Sequence, residues 1–401
     1  MKREYVVVSV KNLKSFRKGI KSSDSSVFTS INVETAEMDD KEKQRQELNK
    51  NNLAVIENFQ FKSHLGEVDE EIEHESSWFF DFCNLADDYQ WTGKGVKVGI
   101  IDSGIHLNNH VFGDGENPIK FRKKNFINGN DDVSDNTGHG TTCASVIFGR
   151  NYFDEGLRTV YRIGVAKGVT DAYIAKVSNT PHNYTVSNVV QALLWLASHN
   201  VDIVNMSFGI TFTDYLNFYV RENNVDKYEI SKAQWKFSQS IQSFNKILDI
   251  ISKNTNITFI ASSGNDSNRE NSIYRSIFCG IPAIAKSCLS VGSLDYHEGS
   301  NTCTINHYSN AGVDYVGPNR AFALSKVGSN FELTTKTGTS IAAPYLTGFA
   351  ALMIEKIRSE NKGTFSKRKL IRLIDAQCDH LNFRINKTPL FGRGLPLITN
   401  T

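Results

Sequence analysis

After residue 90 the chain repeats one pattern: a short apolar run that fits a buried strand, then a longer amphipathic stretch that fits a helix. Strand-like runs occupy residues 96–101, 172–177, 201–208, 257–261 and 289–291, and helical patterns occupy 186–199, 228–252, 341–358 and 367–376. Apolar strands alternating with helices predict a mostly parallel central sheet covered on both faces. Functional side chains in such sheets gather at the carboxyl ends of the strands. The residues that follow each apolar run are therefore the first places to look for chemistry. The chain has no internal repeat and neither standard glycine-rich phosphate loop.

The amino-terminal part reads differently. Residues 5–10, 31–36 and 53–56 are β-like, and Asp39 followed by Glu42 forms a capping-box signature that opens a charged helix. These elements make a small α+β unit. The acidic tract 67–75 reads as a solvated linker. The expected division is a leader with its linker over 1–75 and one large α/β domain over 76–401.

Composition narrows the function classes. With 40% hydrophobic residues in 401 the chain can build a sizeable core, and a formal net charge of +2 gives no electrostatic reason for a nucleic-acid or polybasic membrane partner. Six cysteines without a Cys-x-x-Cys pair argue against a disulfide framework or a structural zinc site. The start of the chain lacks the apolar stretch and cleavage site of a signal peptide, and no apolar run reaches membrane length. The expectation is a cytoplasmic protein with reduced thiols.

Four segments carry chemistry. Asp102 ends the first apolar strand and is followed by Ser103-Gly104. His139 lies between Gly138 and Gly140, which leave its ring uncrowded, and the small residues after it can start a helix. Ser340 follows Thr337-Gly338-Thr339 at the start of an apolar helix, beside free backbone N–H groups, with Pro344 expected in the first turn. Ser262-Ser263-Gly264-Asn265 ends another strand in a side-chain amide, fit for an Asx turn or for an oxyanion donor.

Together these motifs resemble the subtilisin-like serine proteases, the subtilases. Asp102, His139 and Ser340 follow that family's chain order, each in its matching motif. The resemblance runs from about Trp78 through the helix after Ser340. It implies a subtilisin-like three-layer α/β fold and a serine endopeptidase with Asp102, His139 and Ser340 as triad and Asn265 in the oxyanion hole. Ser207, Phe208 and Gly209 resemble the strand end that pairs with substrate, and Ser263 and Gly264 are placed beside the same groove. The substrate implied is a protein or peptide. The leader is placed like a propeptide, an intramolecular inhibitor and chaperone, which implies a zymogen cleaved near the acidic tract.

This sequence departs from the family at Thr142, Phe208 and Ile341, where a second histidine, a leucine and a methionine are common. None of these changes removes a catalytic group. The 210–256 connection is longer than usual, and its aromatic content predicts an inserted helix packed on the sheet. No cofactor is called for. Subtilases often hold calcium, but residues 130–135 lack glycine and glutamate at EF-hand positions and read as a solvated acidic loop. His106 and His110 lack the glutamate of a zinc helix, and Cys143 reads as a small buried filler. The alternative function, a catalytically silent subtilase scaffold that binds peptides, is opposed by four intact catalytic positions.

Overall fold

A computed structural model describes residues 2–398 except 22–24, 66–78, 84, 86–88, 108–109, 114–117, 155–157, 221–225, 271, 273–274, 298–301 and 379–388. The acidic tract 67–75, and with it the expected domain boundary, lies outside the described residues. In the leader β1 (Arg3–Val10), α1 (Leu13–Lys21), β2 (Ile31–Met38), α2 (Asp40–Leu48) and β3 (Asn52–Glu57) form an antiparallel sheet of order β2-β1-β3 with its helices. Asp39 caps α2 as its spacing predicts. Its carboxylate accepts from the Lys41 and Glu42 N–H groups, while Glu42 accepts from the Asp39 N–H. A further strand, β4 (Gln60–Ser63), pairs outside this sheet.

The large domain opens with α3 (Phe79–Phe82), β5 (Lys97–Asp102), β6 (Lys120–Asn125) and α4 (His139–Phe148). A hairpin of β7 (Tyr152–Asp154) and β8 (Thr159–Tyr161) precedes β9 (Asp171–Lys176), β10 (Tyr184–Thr185), α5 (Val186–Ser198), β11 (Ile203–Met206) and β12 (Phe208–Gly209). Then come α6 (Phe212–Val220), α7 (Lys227–Asn254), β13 (Thr258–Ser262), β14 (Cys288–His297), β15 (Thr302–Ile305) and β16 (Tyr315–Pro318). A hairpin of β17 (Arg320–Val327) and β18 (Asn330–Thr337) leads into α8 (Thr339–Glu360) and α9 (Lys367–Cys378).

The central sheet has the order β15-β14-β13-β11-β5-β9-β6, with β16 also on β14, and only the β14–β15 pairing is antiparallel. Alternation along each strand splits the core between two faces. Val98 and Ile100 pack with α4 and α8, whereas Ile101, Val204, Phe259 and Ala261 pack with α5 and α7. The three-layer, mostly parallel α/β architecture is thus the one expected. Parallel strands deliver their ends to one edge, and β5, β11 and β13 bring Asp102, Ser207 and Asn265 there.

The inserted segment does more than pack on the sheet. α7 shares its buried face with the sheet core, and the leader's Val6, Val8 and Val10 join the same cluster. Polar contacts also hold the leader to it. Lys236 pairs with Asp40 at 3.1 Å and donates to the Tyr5 hydroxyl at 3.3 Å, and Lys43 donates to Gln239 at 2.5 Å. In α6, Tyr215 donates to Glu57, whose other oxygen pairs with Arg3 at 2.5 Å with both side chains buried. Core packing alone, the reading of this segment from sequence, is therefore incomplete: the insertion is also the platform on which the leader sits.

A buried carboxylate that loses its cation keeps its desolvation cost. Arg3→Met is expected to destabilise leader docking by about 3–5 kcal/mol. Hydrogen exchange is the measurement: amides of β1 and β3 should lose protection while those of β5 and β11 keep it.

Candidate active site

The site is built where β5 meets α4. Asp102, wholly buried, accepts at Oδ1 from His139 Nδ1 at 2.7 Å, from the Ser103 N–H at 2.7 Å and from the Tyr184 hydroxyl at 3.1 Å. This approach needs glycine at 140, since a Cβ there would lie 2.2 Å from the Gly104 carbonyl oxygen and 3.1 Å from the Asp102 Cβ. Asp135 holds the start of α4. One of its oxygens accepts from Ser103 Oγ and the N–H groups of Thr137 and Gly138, the other from the Thr141 N–H and hydroxyl. Burial alone would raise the Asp135 pKa, but these donors outweigh it and hold the carboxyl below its ordinary range. The solvated-loop reading thus fails at its last residue, although Asp131 and Asp132 are exposed.

Ser340 stands in the first turn of α8, its Oγ 3.0 Å from His139 Nε2 and 3.0 Å from the Ser207 carbonyl oxygen. Two proton arrangements fit. With a neutral ring the hydroxyl donates to Nε2; with a charged ring Nε2 donates to Oγ and the hydroxyl turns to Ser207. Burial lowers the His139 pKa, yet the adjoining Asp102 carboxylate outweighs it and raises the ring well above its ordinary value. Pro344 lies in the second turn of α8, not the first as expected. The N–H it lacks is the one that would bond the Ser340 carbonyl, and the Cys143 thiol donates there instead, at 3.6 Å. Burial raises the Cys143 pKa and keeps this donor neutral, so Cys143 is more than a filler.

The Asn265 amide has a fixed sense. Its Oδ1 accepts from the Thr339 N–H at 3.1 Å and hydroxyl at 2.8 Å, so Nδ2 must face the other way. There it donates to the His64 carbonyl oxygen at 2.6 Å, and the Ser340 N–H reaches the same oxygen at 3.3 Å. Gly264 makes the turn with φ +107, where a Cβ would meet Asn310 Nδ2 at 2.3 Å. Asn310 braces this turn, donating to the Ser263 carbonyl and to Asp266.

The leader's tail fills the groove. β4 lies between two strands of the large domain, with Phe208 opposite Ser63, Gly209 opposite Lys62, and Tyr184 opposite Phe61. The His64 N–H donates to the Ser207 carbonyl at 3.3 Å, and the Phe61 ring packs against Phe208 at 5.4 Å and Phe244 at 6.2 Å. The His64 ring is buried, with Nδ1 2.7 Å from Ser262 Oγ. Ser207, Phe208 and Gly209 therefore lie against β4, Ser207 through its carbonyl and Phe208 and Gly209 through strand pairing. Ser263 makes no hydrogen bond to the tail among the described residues; its N–H bonds the Val291 carbonyl. Ser262, Tyr184 and His64 were missed, because contacts across long separations place them: Tyr184 reaches Asp102 from β10, and His64 meets Ser262 beyond β4.

Among the described residues, Asp102, His139 and Cys143 are the one group of acidic, histidine and cysteine side chains close enough together to hold a metal ion. Asp102 and His139 already bond one another, and Cys143 Sγ lies 3.9 Å from His139 Nδ1. Cys83, Cys143, Cys279, Cys288 and Cys303 are free thiols. His106 stacks on Phe331, with ring centroids 4.1 Å apart. No helix among the described residues is long and apolar enough to cross a membrane.

Residues 93–381 match the model of the subtilase family. Alkaline elastase YaB of Bacillus sp. (strain YaB) is 27% identical over 273 residues, covering 68% of this chain and 57% of that protein. Subtilisin DY of Bacillus licheniformis is 26% identical over 271 residues, 66% of this chain and 79% of that protein. The chain thus spans little more than half the length of the alkaline elastase. Among solved structures, the epidermin leader peptide processing serine protease of Staphylococcus aureus, in a mutant form, superposes with a TM-score of 0.63 at 18% identity. That superposition covers 99% of this chain and 98% of that one. Fervidolysin from Fervidobacterium pennivorans gives a TM-score of 0.63 at 14% identity, covering 99% and 60%. These two likenesses concern the fold.

Burial pulls the His64 pKa down from 6.5 to about 4, helped by Lys62 and His139 and opposed by Asp266 and Asp214. The pocket therefore binds the neutral ring. A depressed histidine contributes its docking energy above the free value and loses it as pH falls through the bound value. Tail docking should be at full strength above about pH 6.5 and weaken toward about pH 4. Protease sensitivity of residues 58–65 in Ser340→Ala protein checks this; constant protection across that range would refute it.

Proposed function

The chain belongs to the subtilase family, and from that premise we propose that it is a serine endopeptidase that cuts its own leader between His64 and Leu65. The observation that carries this reading is the His64 carbonyl oxygen, which receives both Asn265 Nδ2 and the Ser340 N–H while Ser340 Oγ lies 3.0 Å from His139 Nε2. That is the arrangement of a carbonyl about to be attacked, with the charge that will develop on its oxygen already met by two donors.

In this mechanism Ser340 Oγ attacks the His64 carbonyl carbon as its proton passes to His139 Nε2. Asp102 holds the ring through Nδ1 and stabilises its positive charge. The tetrahedral oxyanion rests between Asn265 and the Ser340 N–H. As the bond to the Leu65 nitrogen breaks, His139 gives its proton to that nitrogen, leaving an acyl-enzyme. Water then attacks the ester with His139 again as base, and Ser340 is freed. Every proton moves among the chain's own residues, the substrate and the attacking water, without a cofactor.

The leader on this reading is an intramolecular inhibitor whose end is residue 64, upstream of the acidic tract where cleavage was first expected. Residues 65–75 then stay with the catalytic body. The substrates are peptides and proteins that add a strand between β10 and β12 as the tail does. A silent peptide-binding scaffold would have no need for the oriented Asn265 amide or for a serine in bonding reach of the histidine.

Three outcomes are expected. Mass spectrometry of the purified protein should find the chain beginning at Leu65 and the Ser340→Ala chain uncut; processing of the alanine variant would refute the assignment. Asn265→Ala should cut kcat by about 10²–10³. Tyr184→Phe removes a donor from Asp102 and leaves more carboxylate charge to His139, so the acid limb of the kcat/KM profile should move to higher pH.

A further inference from the structure

Lys62 is the third residue before the proposed cut, and two carboxylates outside the catalytic set converge on it. Its Nζ donates to Asp214 at 2.9 Å and to Asp266. Asp214 lies in the first turn of α6, within the inserted segment, and its second oxygen accepts from the Thr211 hydroxyl at 2.8 Å. Asp266 follows Asn265; its second oxygen accepts from Asn310 Nδ2 at 2.9 Å, and its N–H donates to the Asn310 side-chain oxygen. Each carboxylate thus has one oxygen anchored to the scaffold and the other turned to the groove. Both are positioned without help from the lysine.

The pair sits in a partly buried place. The Lys62 side chain is 31% exposed and that of Asp266 12%, so water screens the attraction only in part. Burial by itself would lower the Lys62 pKa, but the Asp266 and Asp214 carboxylates outweigh it and raise it. Beside Lys62 a cavity of about 430 Å³, lined in part by Gln60, Gly209, Asp214 and Phe218, leaves room for a longer basic side chain. A neutral side chain there would leave two carboxylates facing each other without a cation. An acidic one would add a third negative charge.

We infer that Asp214 and Asp266 form a binding subsite for a basic side chain on the third residue before the cleaved bond. The substrates are then peptides with lysine or arginine at that position, as in the leader's own Phe61-Lys62-Ser63-His64. The inference rests on the proposed protease reading and adds the substrate class to it. It also gives the inserted helix α6 a role in selection.

The test uses the self-processed enzyme on peptides of sequence 58–67 that keep Lys62 or carry K62R, K62Q or K62E, with casein as a general substrate. The arginine peptide should match the lysine peptide within about threefold in kcat/KM, the glutamine peptide should fall about tenfold, and the glutamate peptide about a hundredfold. Asp214→Lys should reverse the order of the lysine and glutamate peptides. Asp214→Asn should narrow the lysine-to-glutamine ratio, and the peptide series with unaltered enzyme decides the matter if neither variant folds. Casein hydrolysis with equal rates on all four peptides overturns the subsite and leaves the protease reading standing. Failure to cut casein or the leader overturns the protease reading, and the subsite falls with it.

Discussion

A carboxylate with no exposure at all is the constraint around which the rest is arranged. Asp102 sits at the end of β5 with its charge removed from water, and such a charge needs donors, which all converge on Oδ1, Oδ2 having none among the described residues. Meeting that requirement brings α4 against the strand end, with two glycine backbones in close approach. It also fixes the direction of the His139 ring and draws Tyr184 inward from β10. Tyr184 thus belongs both to the carboxylate and to a strand that flanks the groove. Through it the edge that pairs with β4 is bonded to the carboxylate that holds the His139 ring.

The tail of the leader depends on the same edge. A strand added between β10 and β12 gains its register from backbone hydrogen bonds and its direction from the oxyanion donors, so it arrives at Ser340 with one carbonyl in place. The leader is held independently by α6 and α7, through Glu57, Lys236 and the valines of β1. Two attachments at a distance raise the effective concentration of the tail in the groove. The inserted segment therefore serves docking of the leader at one end and contact with Lys62 at the other.

Much of this was legible in the residues themselves. The strand and helix alternation, the capping box at Asp39 and the glycines around His139 and Ser340 are local signals, because sterics and hydrogen bonding within a few residues create them. What was not legible depends on pairing across long separations. Phe59 and Phe61 alternate with polar residues as a strand should, but nothing local says that β4 adds to an edge some 120–150 residues away. The role of Cys143 required knowing that Pro344 falls in the second turn of α8 and that the vacant carbonyl faces α4. Asp135 looked like one more acid in a polar loop; only the folded chain converges five donors on it.

The two histidines at the centre are pushed in opposite directions, and that difference orders events along the pH scale. His139 is stabilised as a cation by Asp102, whereas His64, buried with Nδ1 on the Ser262 hydroxyl, is stabilised as the neutral ring. On the proposed reading, cleavage needs His139 to lose its proton, and docking needs only that His64 not gain one. As pH rises, the tail therefore seats first and the base becomes competent afterwards. On the proposed reading, the tail is seated between the two transitions while the Ser340 hydroxyl donates to the Ser207 carbonyl, a latent state that follows from two buried rings in unlike surroundings.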